Sequence, residues 1–138
     1  MTGSPSTVSD FEAGTIDNTT FSHHDHVRVI WEFTHAYGTI GAVTRFEAGL
    51  KRITAAAGHP EKYHATITHA FAFLVGERIV DQGPLSWDDF MATNSDLFEW
   101  PNTVMLQMYP DDTLKSRIAR KTFVMPFGRG KSTSNPAT

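Results

Sequence analysis

The sequence contains no cysteine. Disulfide bonds, thiolate metal sites, iron–sulfur clusters and a cysteine nucleophile are therefore excluded. No apolar run approaches the roughly 20 residues needed to cross a bilayer. Residues 1–10 have neither the basic start nor the apolar stretch of a secretory signal. We therefore expect a cytoplasmic protein that has no membrane partner.

Several well-known motifs of enzyme chemistry are also missing. The sequence has no glycine-rich phosphate loop, no dinucleotide-binding fingerprint and no Gly-x-Ser-x-Gly nucleophile turn. These absences argue against a nucleotide-dependent enzyme and against a serine hydrolase of the α/β type.

Length and charge limit the organisation of the chain. Its 138 residues suit one domain. We predict a single helical domain over residues 11–127 between mobile tails at 1–10 and 128–138, both of which are polar in composition. Six bases and no acid follow Asp112, but the whole chain carries a net charge of −3. Without a basic face or a recognisable motif, we expect no nucleic-acid partner.

The first predicted helix has a clear start and stop. Ser22 stands at the N-cap with Asp25 three residues later, which is a variant of the capping box, and Phe21 is placed for a hydrophobic staple. Gly38 marks the C-terminal end. Apolar residues at three- and four-residue steps then predict a second helix over about 40–57.

A third helix is expected to begin at Pro60 or Glu61 and to end near Val80. A shorter helix begins at Ser86, and the stretch 112–121 is also helical in pattern. No pair of strands with suitable turn residues is evident. The sequence therefore predicts an all-α protein, a compact bundle of about five helices.

Three of the seven histidines point to a metal site. His23 and His26 are separated by three residues and share one face of the first helical turn. His64 lies at the start of the third helix, on its predicted inner face. Three neutral imidazoles suit one transition-metal ion such as Cu, Fe or Zn, and nitrogen ligands alone do not choose among them. The alternative is that these histidines are hydrogen-bonded structural residues.

Three further residues are candidates for catalysis beside this metal. Tyr63 and Thr68 flank His64 and are placed to support the ligands or to donate a proton, and Arg28 is placed to orient an anionic substrate. Arg28 has an equally simple structural interpretation as an ion-pair partner of Asp25 or Glu32. The other histidines are not expected to be ligands: His24 (expected to face solvent), His35, His59 and His69.

Two segments resemble a family of small soluble bacterial proteins. The first runs from Phe21 to Trp31 and resembles a Phe-Ser/Thr-His-x-Asp/Glu-His segment that continues to Arg-x-x-Trp. The second runs from Lys62 to Thr68 and resembles a Tyr-His-x-Thr-Ile-Thr segment. The family has no assigned reaction, so the resemblance implies no activity. It implies that His23, His26 and His64 are the histidines inside the shared motifs.

The leading hypothesis is a small metal-dependent enzyme that acts on a small organic molecule. The aromatic residues expected near the three-histidine site favour oxidoreductase chemistry, while a metal-assisted hydrolase or lyase would use the same ligands. The alternatives are a metal carrier and a non-catalytic helical module that binds a small ligand or a protein partner. A homodimer through an exposed helix face is compatible with the sequence.

Overall fold

The computed structural model describes residues 5–17, 19, 21–99 and 103–126. These residues form seven α-helices and two short 3₁₀ helices, and they contain no strand. None of the described helices is both long and apolar enough to cross a membrane. The predicted all-α fold is confirmed, with more helices than the five expected. The α-helices, in chain order, are α1 (Pro5–Ala13), α2 (His23–Ala56), α3 (Ala65–Gln82), α4 (Trp87–Thr93), α5 (Thr103–Met108), α6 (Asp111–Leu114) and α7 (Arg117–Lys121); the 3₁₀ helices span Pro60–Lys62 and Ser95–Phe98.

Helix α2 begins at the capping box that the sequence predicts. The Ser22 hydroxyl accepts a hydrogen bond from the Asp25 backbone N–H at 3.2 Å, and the Asp25 carboxylate accepts one from the Ser22 N–H at 3.1 Å. Two donors at the helix start are thereby satisfied. The box fixes the position of the first turn, which carries His23, His24 and His26.

Gly38 divides α2 into two helical segments, 23–37 and 39–56. Its φ of 81° and ψ of 175° lie outside the helical region, in a conformation that glycine adopts without strain. The rings of His26 and Phe46 are 5.9 Å apart, whereas 20 residues of unbroken helix would span about 30 Å. The two segments therefore fold back on each other, and the predicted helix end at Gly38 is confirmed.

Helix α3 packs along α2 and contributes much of the core. His69 lies 3.4 Å from Glu47, and Gly76 touches the side chain of Thr39. The contacts therefore run in opposite directions along the two chains, so α3 is antiparallel to the 39–56 segment. Residues 23–37, 39–56 and 65–82 form a three-helix core.

The beginning of α3 differs from the prediction. Residues Pro60–Lys62 form a 3₁₀ turn, and Tyr63 and His64 are extended, so the α-helix begins at Ala65 rather than at Pro60 or Glu61. The His64 side chain accepts a hydrogen bond from the Ile67 backbone N–H and is the N-cap. His64 therefore precedes the helix instead of lying on its inner face.

Part of the predicted N-terminal tail is helical. Helix α1 begins at Pro5 and packs on α2. Phe11 is fully buried, and its ring lies between 5.5 and 5.9 Å from the rings of Phe21, Phe33 and Phe46. These ring contacts give α1 a buried anchor that composition alone does not reveal. The predicted tail 128–138 lies outside the described residues.

The stretch 112–121, predicted as one helix, contains two. Ser116 is extended, and its hydroxyl accepts a hydrogen bond from the Ala119 backbone N–H at 3.2 Å, which starts α7 anew. Helix α6 ends just before it, at Leu114. At this break the Leu114 carbonyl accepts a hydrogen bond from the His64 ring, and α7 packs on α3.

We expect Gly49→Ala to destabilise the protein. The Phe11 ring lies where a Cβ at position 49 would stand, so an alanine must displace a fully buried ring at a cost of roughly 1–3 kcal/mol. In an isolated helix the same change stabilises by up to about 1 kcal/mol. The sign of the change in unfolding free energy, measured in urea, therefore tests the docking of α1, and stabilisation would contradict it.

Candidate functional site

A cavity of about 330 Å³ opens between the two segments of α2, the Pro60–Lys62 turn, the start of α3 and α7. Its inner wall is formed by side chains of the hydrophobic core, including Phe46, Ile53 and Phe71. The volume lies at the lower end of the range for small-molecule sites. The polar and cationic residues of the lining are His23, His26, Thr54, Lys62, Tyr63, His64, Thr68 and Arg120.

Five of the six site residues predicted from the sequence line this cavity. They are the three histidines proposed as ligands together with Tyr63 and Thr68. Arg28 does not line it. Its guanidinium pairs with Glu32 at 2.7 Å and lies over the rings of Trp31 and Trp87, which is the structural alternative considered for this residue.

His64 has both ring nitrogens engaged. Nδ1 accepts the Ile67 N–H at 3.1 Å, so the ring proton is on Nε2, which donates to the Leu114 carbonyl at 2.6 Å. Burial lowers the pKa of His64, the Leu114 bond opposes this shift, and the charge of Arg120 adds to it. The ring is thus held neutral, and coordination of a metal through Nδ1 would require the helix cap to be broken.

His23 is hydrogen-bonded to the 3₁₀ helix Ser95–Phe98. Its Nε2 lies 2.8 Å from the Leu97 carbonyl, and a carbonyl only accepts, so Nε2 carries a proton and donates it. The ring meets Phe71 edge to face at 5.0 Å. Burial lowers the pKa of His23, and the bond to Leu97 partly opposes the shift. Leu97 is itself fully buried, so this bond fixes the 3₁₀ helix Ser95–Phe98 against the start of α2.

His26 differs from the other two histidines. Its ring lies 4.5 Å from that of Phe21 and 5.9 Å from that of Phe46. Burial lowers the pKa of His26 to about 4, the charge of His23 adds to this, and Asp25 opposes it. Within the described residues, no hydrogen bond engages either ring nitrogen of His26. It is a neutral imidazole in the cavity wall with one donor and one acceptor unused.

Tyr63 and Thr68 occupy the same wall as His64. Burial raises the pKa of Tyr63 to about 12, and the nearby Glu47 carboxylate contributes to this rise. Its hydroxyl therefore keeps its proton at neutral pH. The Thr68 hydroxyl donates to the His64 carbonyl at 2.7 Å, inside the first turn of α3. Thr68 thus stabilises the helix start that holds His64.

The described residues contain no group of three or more histidine or acidic side chains arranged to hold a metal ion. His23 Nε2 is hydrogen-bonded to the Leu97 carbonyl, and His64 is committed to two hydrogen bonds. The three histidines share a cavity without sharing a coordination centre in this conformation. The three-histidine metal site therefore stays a prediction.

His24 was predicted to face solvent, but it packs against other side chains of the protein. Its Nε2 is 3.0 Å from the Met91 sulfur, and its ring packs against Trp87 and Phe98. The first turn of α2 lies between two packed surfaces, the cavity on one side and α4 with the second 3₁₀ helix on the other. A histidine that faces away from the cavity therefore still meets protein.

Lys62 and Arg120 line the cavity and were not singled out from the sequence. Lys62 is in the 3₁₀ turn and Arg120 in α7, and both are exposed. The excess of bases after Asp112 was the available signal for Arg120. Local pattern could not assign it to this cavity, because the packing of α7 on α3 brings it there.

No protein-family model matches the chain, and neither a curated protein nor a solved structure matches it. The resemblance of the two histidine-containing segments to a bacterial family therefore stays a prediction.

We expect stability to fall with acidity, in part because of His26. Its pKa is about 4 in the folded protein and about 6.5 when unfolded. Between these two pH values the unfolded state therefore binds the proton more strongly than the folded state does. The stability that the neutral His26 contributes is present above pH 6.5 and is lost as the pH falls towards 4. Between pH 7 and 5 this amounts to about 2 kcal/mol.

The comparison is the urea unfolding free energy of wild type and His26→Gln at both pH values. The variant should lose about 2 kcal/mol less on acidification. Equal losses in the two proteins would contradict a buried neutral His26. Residual pH dependence in the variant is expected because His23 and His64 also have lowered pKa values.

We expect His64→Ala to destabilise by about 1–2 kcal/mol through loss of the N-cap, and His64→Asn to recover about 1 kcal/mol of this because asparagine is a good cap. Thermal or urea unfolding measures both. Elemental analysis of the same proteins tests the predicted metal site. Near-stoichiometric copper, iron or zinc in wild type that is lost in both variants would support ligation by His64. In the unfolding measurement, equal stability of His64→Ala and His64→Asn would contradict the role of His64 as a cap.

Proposed function

We propose that this protein binds a small, largely apolar organic molecule in the histidine-lined cavity. The observation that carries the proposal is the state of His26, a neutral ring in the cavity wall whose two nitrogens have no hydrogen-bond partner among the described residues. Both nitrogens are open to the cavity rather than enclosed by protein atoms. A ligand hydroxyl or carbonyl would supply that partner.

The apolar wall supports the same proposal. Phe46, Ile53 and Phe71 are 2–4% exposed, belong to the core and also line the cavity. Contact with such side chains favours a ligand by roughly 25 cal/mol for each Å² of apolar surface removed from water. Because the three residues are fixed by the core, the cavity is formed before a ligand arrives, which limits the entropy cost of binding.

The metal-dependent oxidoreductase expected from the sequence is the second candidate. It is favoured by one observation, that His23, His26 and His64 line the same cavity. It would need His64 to give up a hydrogen bond of 2.6 or 3.1 Å. A metal-assisted hydrolase or lyase has the same requirement. Ligand binding without metal needs no rearrangement, so we place it first.

We expect Leu50→Trp to block the cavity. Leu50 is half-buried and lines it, and the larger indole would occupy the space that a ligand needs. Indole and 2-naphthol are suitable probes because both combine an aromatic body with one polar hydrogen. Calorimetric titration should give a Kd at least roughly tenfold higher for the variant.

The matched control is Leu74→Trp, since Leu74 is a half-buried leucine on α3 that lines a separate groove. It should bind both probes like wild type. His26→Phe keeps an aromatic ring but removes the hydrogen bond, so the Kd for 2-naphthol should rise by roughly fivefold. Unchanged binding in both Leu50→Trp and His26→Phe would show that the probes bind elsewhere and would overturn the proposal.

A further inference from the structure

The cavity has two cationic side chains at its rim. Lys62 and Arg120 both line it and are exposed, while the inner wall is apolar. They belong to elements far apart in sequence, the Pro60–Lys62 turn and α7. The packing of α7 on α3 is what brings them to one opening.

The two charges are not neutralised by the lining. No aspartate or glutamate is among the described residues that line the cavity, and neither Lys62 nor Arg120 forms an ion pair within the described part of the chain. The adjacent Glu61 carboxylate is not part of the lining; it lies 3.2 Å from His59, and the charge of Lys62 contributes to its lowered pKa. The rim of the cavity is therefore positive although the protein as a whole has a net charge of −3.

Arg120 and His64 both line the cavity. The charge of Arg120 contributes to the lowered pKa of His64. An arginine in this position can hold a carboxylate through two parallel N–H···O bonds, and a lysine adds a compact charge with freely rotating donors.

Resting on the proposed function, we propose that the ligand is an organic monocarboxylic acid, whose carboxylate is bound by Arg120 and Lys62 at the rim while its apolar body fills the cavity. The rim supplies anion binding, and the core side chains supply affinity for hydrocarbon or aromatic groups. His26 then meets a polar substituent on the body of the acid.

A carboxylate fits this rim better than a phosphate ester. Two exposed cations in water contribute modest energy, which is sufficient to orient a monoanion whose affinity comes from its apolar body. A nucleotide or sugar phosphate would place polar surface against Phe46, Ile53 and Phe71 and would lose more in desolvation. The sequence also lacks the glycine-rich loop that cradles phosphates.

The test compares 4-phenylbutyrate with 4-phenylbutan-1-ol, which has the same apolar body without the charge. Calorimetry at low salt should show the acid binding roughly tenfold more tightly than the alcohol. Arg120→Gln and Lys62→Gln should each weaken the acid several-fold, and the double variant should bring it to the level of the alcohol. The affinity of the alcohol should be the same in all four proteins.

Arg117→Gln is the control variant, because Arg117 is an exposed arginine of the same helix that does not line the cavity. It removes the same charge and should leave the affinity of the acid nearly unchanged. Raising the salt concentration should reduce the advantage of the acid, since exposed charges are screened. Thermal unfolding confirms that each variant is folded.

The outcomes separate this inference from the proposed function. If acid and alcohol bind equally and Arg120→Gln has no effect, the carboxylate assignment is overturned while the cavity remains a ligand site. If Arg117→Gln weakens the acid as much as Arg120→Gln does, the effect is one of overall charge and the assignment is overturned as well. If neither probe binds, and indole and 2-naphthol also fail, the proposed function falls and this inference falls with it.

Discussion

The reversal of α2 at Gly38 is the constraint on which the cavity depends. A φ of 81° at this position turns the chain so that the segment 23–37 folds back on the segment 39–56. His26 and Phe46 thereby meet at 5.9 Å. Without the turn, the two faces that form most of the cavity wall would lie at opposite ends of one rod. Phe11 then fills the space on the other side of the pair by packing on Phe33 and Phe46.

Three histidines of similar sequence context have three different roles. His64 caps α3 and donates to Leu114, and His23 ties the start of α2 to Leu97. His26 has apolar rings around it and no hydrogen-bond partner within the described residues. All three are driven towards the neutral form by burial. Two of them therefore stabilise the cavity wall, and the third is available to a ligand.

The cavity combines three environments that favour one class of ligand. Core side chains provide an apolar interior, His26 provides an uncharged hydrogen-bonding group, and Lys62 with Arg120 provides a positive rim. An amphipathic acid matches all three in one molecule. The predicted metal ligands lie in the same wall, so binding of an organic ligand and binding of a metal would use overlapping residues. The two differ at His64, which would have to give up a hydrogen bond to bind a metal but not to accommodate an organic ligand.

The sequence by itself determined the helix boundaries that depend on local chemistry, namely the capping box at Ser22 and the turn at Gly38, because caps and glycine conformations involve neighbouring residues. It also identified five residues that line the cavity. Only the tertiary structure decided what those residues do. The Leu114 and Leu97 carbonyls that occupy His64 and His23, and the approach of Arg120, come from packing between segments distant in sequence, and helical periodicity carries no information about such partners.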